Sequence, residues 1–335
     1  MLKGFPFLQN THLLVGVLLC ALLLTACAAT PQTAGLIEQP PIGVPARVEL
    51  VDTPFFPQQR YQCGPAALAT VLVGHGIDTD PELLKTRVFL PGRRGSLQVE
   101  MLATARSYEM LPVKLAPQME AVILELAAGN PVLVLQNLAF TWAPRWHYAV
   151  VVGYDLDAGV FVLRSGTTRR WVTPFSVFER TWQRGNSWAI VVVSPDRVPA
   201  TASLQAYLQA VHALETTGHV GAARRGYQAA SLRWPGNPVV MMASGNAAYA
   251  EADYVAAERA FRSVLGLHPQ EAAAWNNLGY ALFAQGCLNA AISATRCAQT
   301  LAPDKPEYAD SLREFRQASP GSVAVSEPLP RCPLP

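Results

Sequence analysis

The chain has 335 residues, with 26 Lys or Arg against 24 Asp or Glu and a formal net charge of +2. This near balance leaves no basic stripe, so nucleic acid is excluded as an expected partner, and the length suits two ordinary domains. Hydrophobic residues make up 50% of the chain, which favours folded domains over disorder. Six cysteines are scattered without zinc-finger spacing, so no metal or cofactor is expected.

The first segment has the pattern of a secretory signal. Its apolar run from Leu13 to Leu24 is short for a membrane span and typical of a signal-peptide core. The run ends in Leu24-Thr25-Ala26-Cys27, which resembles the lipobox of bacterial lipoproteins. The resemblance implies that residues 1–26 are removed and that lipid on Cys27 holds the protein to the periplasmic face of a Gram-negative outer membrane. The alternative is an uncleaved anchor with a chance cysteine.

A short linker and a mixed domain follow. Residues 27–46 contain four prolines and few large apolar side chains, so we expect a lipidated N-terminus and a flexible tether. In residues 47–195, Gly64-Pro65 opens an apolar helix, Asp80 caps a second helix that starts at Pro81, and Ser96 is expected to cap a third.

Later in this domain the pattern changes from helices to strands. Four short apolar runs predict strands buried on both faces: Pro131–Leu135, Tyr148–Gly153, Val160–Leu163 and Trp188–Val193. Helices first and strands later indicate an α+β domain rather than an alternating parallel sheet.

The second half of the chain is a helical repeat. Pro235, Pro269 and Pro303 lie 34 residues apart each time, and the small and large residues before them resemble tetratricopeptide repeats. Residues 204–318 are therefore expected to form an all-α tetratricopeptide-repeat superhelix of three repeats with a capping helix. The first repeat is the weakest, because Val211 stands where glycine is usual.

Three cysteines lie in this half of the chain and its tail, and their spacing limits which disulfide can form. Cys287 and Cys297 fall on one helix about 15 Å apart, too far for a disulfide. Either one is expected to pair with Cys332 in an oxidising periplasm. Residues 319–335 read as a proline-rich tail.

The candidate chemistry centres on the stretch Gln58-Gln59-Arg60-Tyr61-Gln62-Cys63-Gly64-Pro65. Cys63 lies at the start of a predicted helix, where free backbone N–H groups and the helix dipole favour a thiolate. A thiolate attacks amide carbonyls well. A glutamine a few residues earlier and the backbone N–H of Cys63 would be the donors to the oxyanion.

This stretch and a second motif, Trp146-His147-Tyr148-Ala149-Val150-Val151-Val152-Gly153-Tyr154, resemble the papain-like bacteriocin-processing peptidases. Members of that family also form the front domain of transporters that cut double-glycine leaders. The resemblance covers about residues 50–193 and implies a papain-like cysteine peptidase fold. It implies Cys63 as nucleophile, His147 as general base and then acid, and Gln58 as oxyanion donor, with Gln59 as the alternative.

The sequence departs from that family after His147, where an Asp or Asn normally orients the imidazole. Hairpin symmetry about the turn at 154–159 places Arg164-Ser165-Gly166 opposite the histidine. We therefore expect a Cys-His pair with Ser165 as a weak orienter, or an enzyme that is slow or inactive. Trp142 and Trp146 either line a substrate cleft or belong to the core.

Three functions remain open. The first is a lipoprotein cysteine peptidase that cleaves a peptide or protein, with the repeats recruiting the substrate or a protein partner through their concave face. The second is a non-catalytic binding lipoprotein that uses a degenerate peptidase domain and the repeats. The third is acyl or amide transfer at the same thiol.

Overall fold

A computed structural model describes residues 30–58, 62–93, 95–317 and 327–333. The predicted signal peptide, the predicted lipidated Cys27 and the alternative donor Gln59 lie outside these described residues. Over the described ranges, no helix combines the length and the apolar character that a bilayer crossing needs.

Helices occupy both halves of the described chain. They are α1 Pro31–Glu38, α2 Cys63–Gly74, α3 Pro81–Val88, α4 Gln98–Ser107, α5 Met119–Ala127, α6 Phe175–Gln183, α7 Leu204–Thr216, α8 Val220–Arg233, α9 Pro238–Ala250, α10 Tyr254–Leu267, α11 Ala272–Ala284, α12 Leu288–Leu301 and α13 Pro306–Gln317. The strands are β1 Arg47–Glu49, β2 Leu111–Lys114, β3 Val132–Asn137, β4 Trp146–Asp155, β5 Val160–Ser165, β6 Thr168–Pro174 and β7 Ala189–Val193.

The strands form one antiparallel sheet of seven strands in the order β2-β7-β3-β4-β5-β6, with β1 paired to β4. Helices cover both faces. One face packs on α2, α3 and α4, and the other on α5, α6 and the first repeat. Apolar runs such as Val132–Leu135 are buried because both faces are covered. The α+β domain and the helical second half are therefore as predicted.

All four predicted strands are present, but three others carry weaker signals. β1 has only three residues, and β2 contains Pro112. In β6, Thr168–Val172 is exposed, and it includes the pair Arg169-Arg170. Short or exposed strands lack the continuous apolar run that marks β3 and β7.

The predicted helix caps are half right. The Asp80 side chain accepts a hydrogen bond from the N–H of Leu83 at 2.8 Å, as expected for an N-cap. The prediction for Ser96 is wrong, because α4 begins at Gln98 and has no side-chain cap. The Ser96 hydroxyl instead packs against Gly64, where an added Cβ would clash with it. Glycine after Cys63 thus lets the 95–97 segment lie against the start of α2.

The flexible tether expected over residues 27–46 is wrong for residues 31–38, which form α1. The buried carboxylate of Glu179 accepts hydrogen bonds from the Thr33 N–H at 2.7 Å and the Thr33 hydroxyl at 2.6 Å. It also accepts from the Gln32 N–H at 3.0 Å. Leu36 is buried in the core of the α+β domain. A few good contacts on a proline-rich segment therefore replace free chain by a docked helix.

The three repeats are the helix pairs α7–α8, α9–α10 and α11–α12, and α13 follows them as the capping helix. The structure shows why the first repeat can carry Val211 where glycine is usual. In the second, a Cβ on Gly245 would come within 2.5 Å of Phe261. In the first, Val211 occupies the glycine position, and Gly226 on the facing helix supplies the space, since a Cβ there would meet Val211 at 2.7 Å. The small residue therefore lies on the second helix of the first repeat, whereas it lies on the first helix of the second repeat.

The two halves share one hydrophobic core. Leu111 and Val113 of β2 belong to the same buried cluster as Tyr207, Val211 and the first repeat. The Tyr207 hydroxyl donates to the carbonyl of Pro195 at 2.9 Å. The connection is fixed as well, since the fully buried Glu125 accepts from the N–H and hydroxyl of Thr201. The first repeat is thus packed onto the sheet.

A disulfide joins Cys297 to Cys332, with a Cα–Cα distance of 5.8 Å. Cys287 is free and buried, so the predicted exclusion of a Cys287–Cys297 bond is confirmed. Arg262 holds the same tail segment by donating to the carbonyls of Glu327 and Pro328. Residues 327–333 are thereby fastened to the repeats.

Candidate active site

Helix α2 begins with the candidate nucleophile. Its residues Gly64–Leu72 are all buried against the sheet, which fixes the helix axis. No side chain among the described residues caps its N-terminus, and the backbone N–H groups of Cys63 and Gly64 act on the Cys63 sulfur. Cys63 itself is half-buried at the edge of the core. The helix thus holds the thiol at the surface of a rigid element.

The thiol and Gln58 meet at the backbone of Tyr148. Strand β5 pairs with β4 over Val150–Asp155, and this pairing ends before Tyr148. The N–H of Tyr148 donates to the Cys63 sulfur. Its carbonyl accepts from Gln58 Nε2 at 3.2 Å. Cys63 and Gln58 therefore bind backbone groups of β4 that no longer pair with β5.

His147 lies one residue before this point. Its Nε2 is 2.9 Å from the hydroxyl of Ser165, the residue that hairpin symmetry places opposite it. Within the described residues, no hydrogen bond joins the Cys63 thiol to the His147 ring. The structure thus brings His147 together with Ser165, and Cys63 together with Gln58, around one stretch of β4.

Gln58 is held at both its backbone and its side chain. Its N–H donates to the carbonyl of Gly166 at 2.9 Å, which ties the segment before α2 to the end of β5. One amide hydrogen of its side chain is used on Tyr148. A primary amide has two donor hydrogens, and among the described residues the second has no acceptor, so it is available to a further oxygen.

Burial sets the charge state of the site. It raises the pKa of the Cys63 thiol, although the N–H groups of Tyr148, Gly64 and Cys63 itself act in the opposite direction. Burial also lowers the pKa of His147 to about 4, and the positive charge of Arg145 adds to this. Desolvation thus opposes the expected preference for a thiolate and outweighs the helix N-terminus. The two groups form a neutral pair.

The tryptophans near His147 are not core residues. Trp142 is 82% exposed and Trp146 is 51% exposed. Of the two alternatives for these residues, the core assignment is wrong. The sequence reasoning also missed Asn137, a buried amide at the end of β3 that binds the loop carrying Trp142. A lone asparagine after a strand gives no signal that separates it from an ordinary turn residue.

Replacing Ser165 by alanine is expected to lower kcat/KM for peptide cleavage about fivefold, the factor that corresponds to about 1 kcal/mol for one neutral hydrogen bond. Ser165→Asn keeps an acceptor for the ring and is expected to match or exceed the wild type. Steady-state kinetics on the three proteins measure this. Equal activity of the wild type and Ser165→Ala would show that Ser165 does not orient His147.

A concave feature lies on the repeats. It is a groove of about 590 Å³ between α7, α8 and α9, lined by apolar side chains such as Leu204, Leu208 and Val239. His212 and Glu215 contribute its polar edge, with His212 Nδ1 and Glu215 Oε2 3.1 Å apart. Over the described ranges, no group of His, Cys, Asp or Glu residues is arranged to hold a metal ion.

Comparisons with solved structures return distant neighbours for each half. A provisionally named C39-like peptidase from Bacillus anthracis is 21% identical over 44% of this chain and 97% of its own, with a TM-score of 0.37. A double glycine motif protease from an AMS/PCAT transporter, in complex with the leader peptide, is 17% identical over 43% and 92%, with a TM-score of 0.33. The first TPR of Spaghetti (RPAP3), bound to an HSP90 peptide, is 21% identical over 34% and 90%, also at 0.33.

No curated protein sequence matches the chain. The model of the Peptidase_C39 like family matches residues 50–190. That match spans strands β2 to β6 and the start of β7, and it includes both candidate motifs. The domain that holds Cys63 and His147 is therefore similar to the Peptidase_C39 like family.

Proposed function

We propose that this protein is a lipid-anchored cysteine peptidase that cleaves a peptide or protein substrate. One observation carries the proposal: the Cys63 thiol and the Gln58 amide meet at the backbone of Tyr148, beside His147 with its ring held on Ser165. A nucleophile, a base and an oxyanion donor are the three parts that amide cleavage needs.

The reaction starts from the neutral pair. As Cys63 attacks the substrate carbonyl carbon, His147 takes the thiol proton, and a carbon–sulfur bond forms. The oxyanion accepts from the Cys63 N–H and from the second amide hydrogen of Gln58. His147 then passes the proton to the departing amine as the carbon–nitrogen bond breaks. Water, deprotonated by His147, hydrolyses the thioester and releases the thiol.

The anchor belongs to the same proposal. Cleavage of residues 1–26 and lipid on Cys27 would hold the enzyme to the periplasmic face of the outer membrane of a Gram-negative bacterium. The lipobox-like end of the first apolar segment supports this. Acyl chains bind a bilayer by burying about 0.8 kcal/mol per methylene, so no membrane-spanning helix is needed.

The repeats are the proposed recruitment surface. Their groove is open, largely apolar and edged by His212 and Glu215, which suits a peptide segment of a substrate or partner protein. Because the first repeat shares its core with the sheet, a bound partner would be held at a fixed position relative to the thiol.

A second candidate function is peptide binding without cleavage. The neutral Cys63–His147 pair and the absence of a carboxylate or amide at Ser165 favour it, because both weaken the nucleophile. On this function the domain would hold a peptide at the thiol site and leave it intact.

The deciding experiment uses the chain from residue 28 onward, with synthetic peptides that contain a double-glycine leader as probes. Mass spectrometry would follow their cleavage by the wild type, by Cys63→Ala, and by Cys287→Ala as a matched control for loss of a thiol. We expect products with the wild type and the control but none with Cys63→Ala. Intact peptide that binds the wild type without any product would establish the second function instead.

A further inference from the structure

The loop of residues 138–145, between β3 and β4, presents an aromatic pair to solvent. Phe140 is 65% exposed and Trp142 is 82% exposed. Their rings stack with centroids 5.5 Å apart and planes within 9°. Two large, exposed aromatic side chains that stack on each other form a flat apolar surface, which normally marks a contact site.

This loop is fixed from below. The Oδ1 of Asn137, a residue that is only 1% exposed, accepts from the N–H of Ala139 at 3.0 Å and of Arg145 at 2.9 Å. Its Nδ2 donates to the carbonyl of Phe140, and Arg184 donates to its backbone carbonyl. The buried amide of Asn137 therefore holds the loop that carries the exposed aromatic pair. A surface ordered in advance loses little conformational entropy when a ligand binds.

The loop leads directly into the thiol site. Arg145 closes it by accepting from the Leu138 N–H at 2.9 Å, Trp146 follows with half of its surface exposed, and the next residue is His147. A peptide bound at the thiol would therefore have this aromatic surface beside it. The loop is thus joined to the proposed active site through Trp146, one residue before His147.

Arg145, at the end of the same loop, carries a positive charge without an acidic partner among the described residues. The Arg145 side chain is exposed and makes no hydrogen bond or salt bridge to any residue that the structure describes. Its positive charge lowers the pKa of His147. Ser165, the partner of the ring, carries no compensating charge. An anionic group on a ligand would supply the charge that this edge lacks.

We propose that the loop of residues 138–145 is the substrate-recognition element of the thiol site. It takes a peptide in which an aromatic or large aliphatic side chain stacks on Phe140 and Trp142, and a nearby carboxylate pairs with Arg145. This deepens the proposed function and rests on it for the identity of the site.

The test separates binding from chemistry by using the Cys63→Ala chain from residue 28 onward. A library of random peptides of about twelve residues would be selected for binding to this protein. The variant that carries both Cys63→Ala and Trp142→Ala would serve for counter-selection. Enriched peptides are expected to combine an aromatic or large aliphatic residue with Asp or Glu. Selected peptides that lack this combination, or no enrichment over the counter-selection, would overturn the proposal.

A selected peptide then serves as the probe in fluorescence anisotropy. Trp142→Ala is expected to weaken its binding about tenfold, whereas Trp171→Ala, an exposed tryptophan on β6, leaves binding unchanged. Arg145→Gln is expected to weaken the acidic peptide but not its Glu→Gln analogue. Equal losses for both peptides would refute the pairing with Arg145.

Vesicles of anionic phosphatidylglycerol test the competing ligand of such a surface. Binding of the unlipidated chain to these vesicles, lost in Trp142→Ala, would assign the loop to the membrane and overturn the proposal. Failure of the wild type to cleave any selected peptide, with binding through the loop intact, would refute peptidase activity and leave the recognition element standing.

Discussion

Replacing His147 by alanine is expected to lower kcat/KM for peptide cleavage about a thousandfold at pH 7, within the range that a lost general base gives. Burial raises the pKa of the Cys63 thiol, so the thiolate is scarce near neutral pH and its formation depends on an adjacent base. The variant also loses the acid that protonates the leaving amine. Single-substrate kinetics of both proteins measure the effect.

The pH dependence follows from the same pKa directions. The imidazole pKa is lowered to about 4, so the ring stays neutral and can accept a proton through mild acid. Wild-type kcat/KM is therefore expected to fall only below about pH 5, as the ring becomes protonated. In His147→Ala the residual rate should instead rise with pH toward the raised pKa of the thiol.

A matched control for this variant is His268→Ala, which changes an exposed histidine at the end of α10. It is expected to leave the whole pH profile unchanged. A His147→Ala protein within tenfold of the wild type at pH 7 would exclude His147 as the base. An acid limb near pH 6.5, the ordinary histidine value, would contradict the buried neutral ring.

Replacing Tyr207 by alanine is expected to lower the free energy of unfolding by about 3–5 kcal/mol, the range for removing a fully buried aromatic side chain. The ring fills the junction between α7 and β2, and its hydroxyl satisfies the carbonyl of Pro195. Because that core is continuous, the loss should destabilise both halves. Urea unfolding followed by circular dichroism measures the energy.

Hydrogen exchange followed by mass spectrometry locates the effect. Tyr207→Ala should accelerate exchange in β2 as well as in α7. Phe261→Ala makes a comparable cavity in the separate core of the last two repeats, and it should accelerate exchange there while β2 stays protected. Unchanged exchange in β2 of Tyr207→Ala would show that the sheet and the repeats unfold independently.

The sequence predicts the parts of the fold that have a strong period. Four strands, three helix pairs and the cap at Asp80 follow from apolar runs, proline spacing and a single carboxylate. Helix α1 could not be predicted, because it depends on Glu179, which lies 146 residues after Thr33. Pro40, Pro41 and Pro45, which follow α1, favour an extended chain, and the helix depends on the hydrogen bonds that the distant carboxylate supplies.

The site divides in the same way. Motif order predicts Cys63 and His147 as site residues, and strand symmetry predicts the contact of His147 with Ser165 that the structure shows, because both are local or nearly local patterns. The charge state of the pair could not be predicted, since it results from burial that the whole domain produces. The role of Tyr148 was equally hidden, because it acts through its backbone, and any side chain would look the same there.

The docked position of α1 limits how far the proposed lipid anchor can reach. Helix α1 begins at Pro31, and Glu179 binds Gln32 and Thr33. Only three peptide units separate Cys27 from Thr30, which span at most about 10 Å, against about 70 Å for a free tether over residues 27–46. A protein held so closely by such an anchor would sample a thin layer next to the bilayer. Its substrates would have to be membrane-bound or delivered to that surface, so encounter becomes nearly two-dimensional.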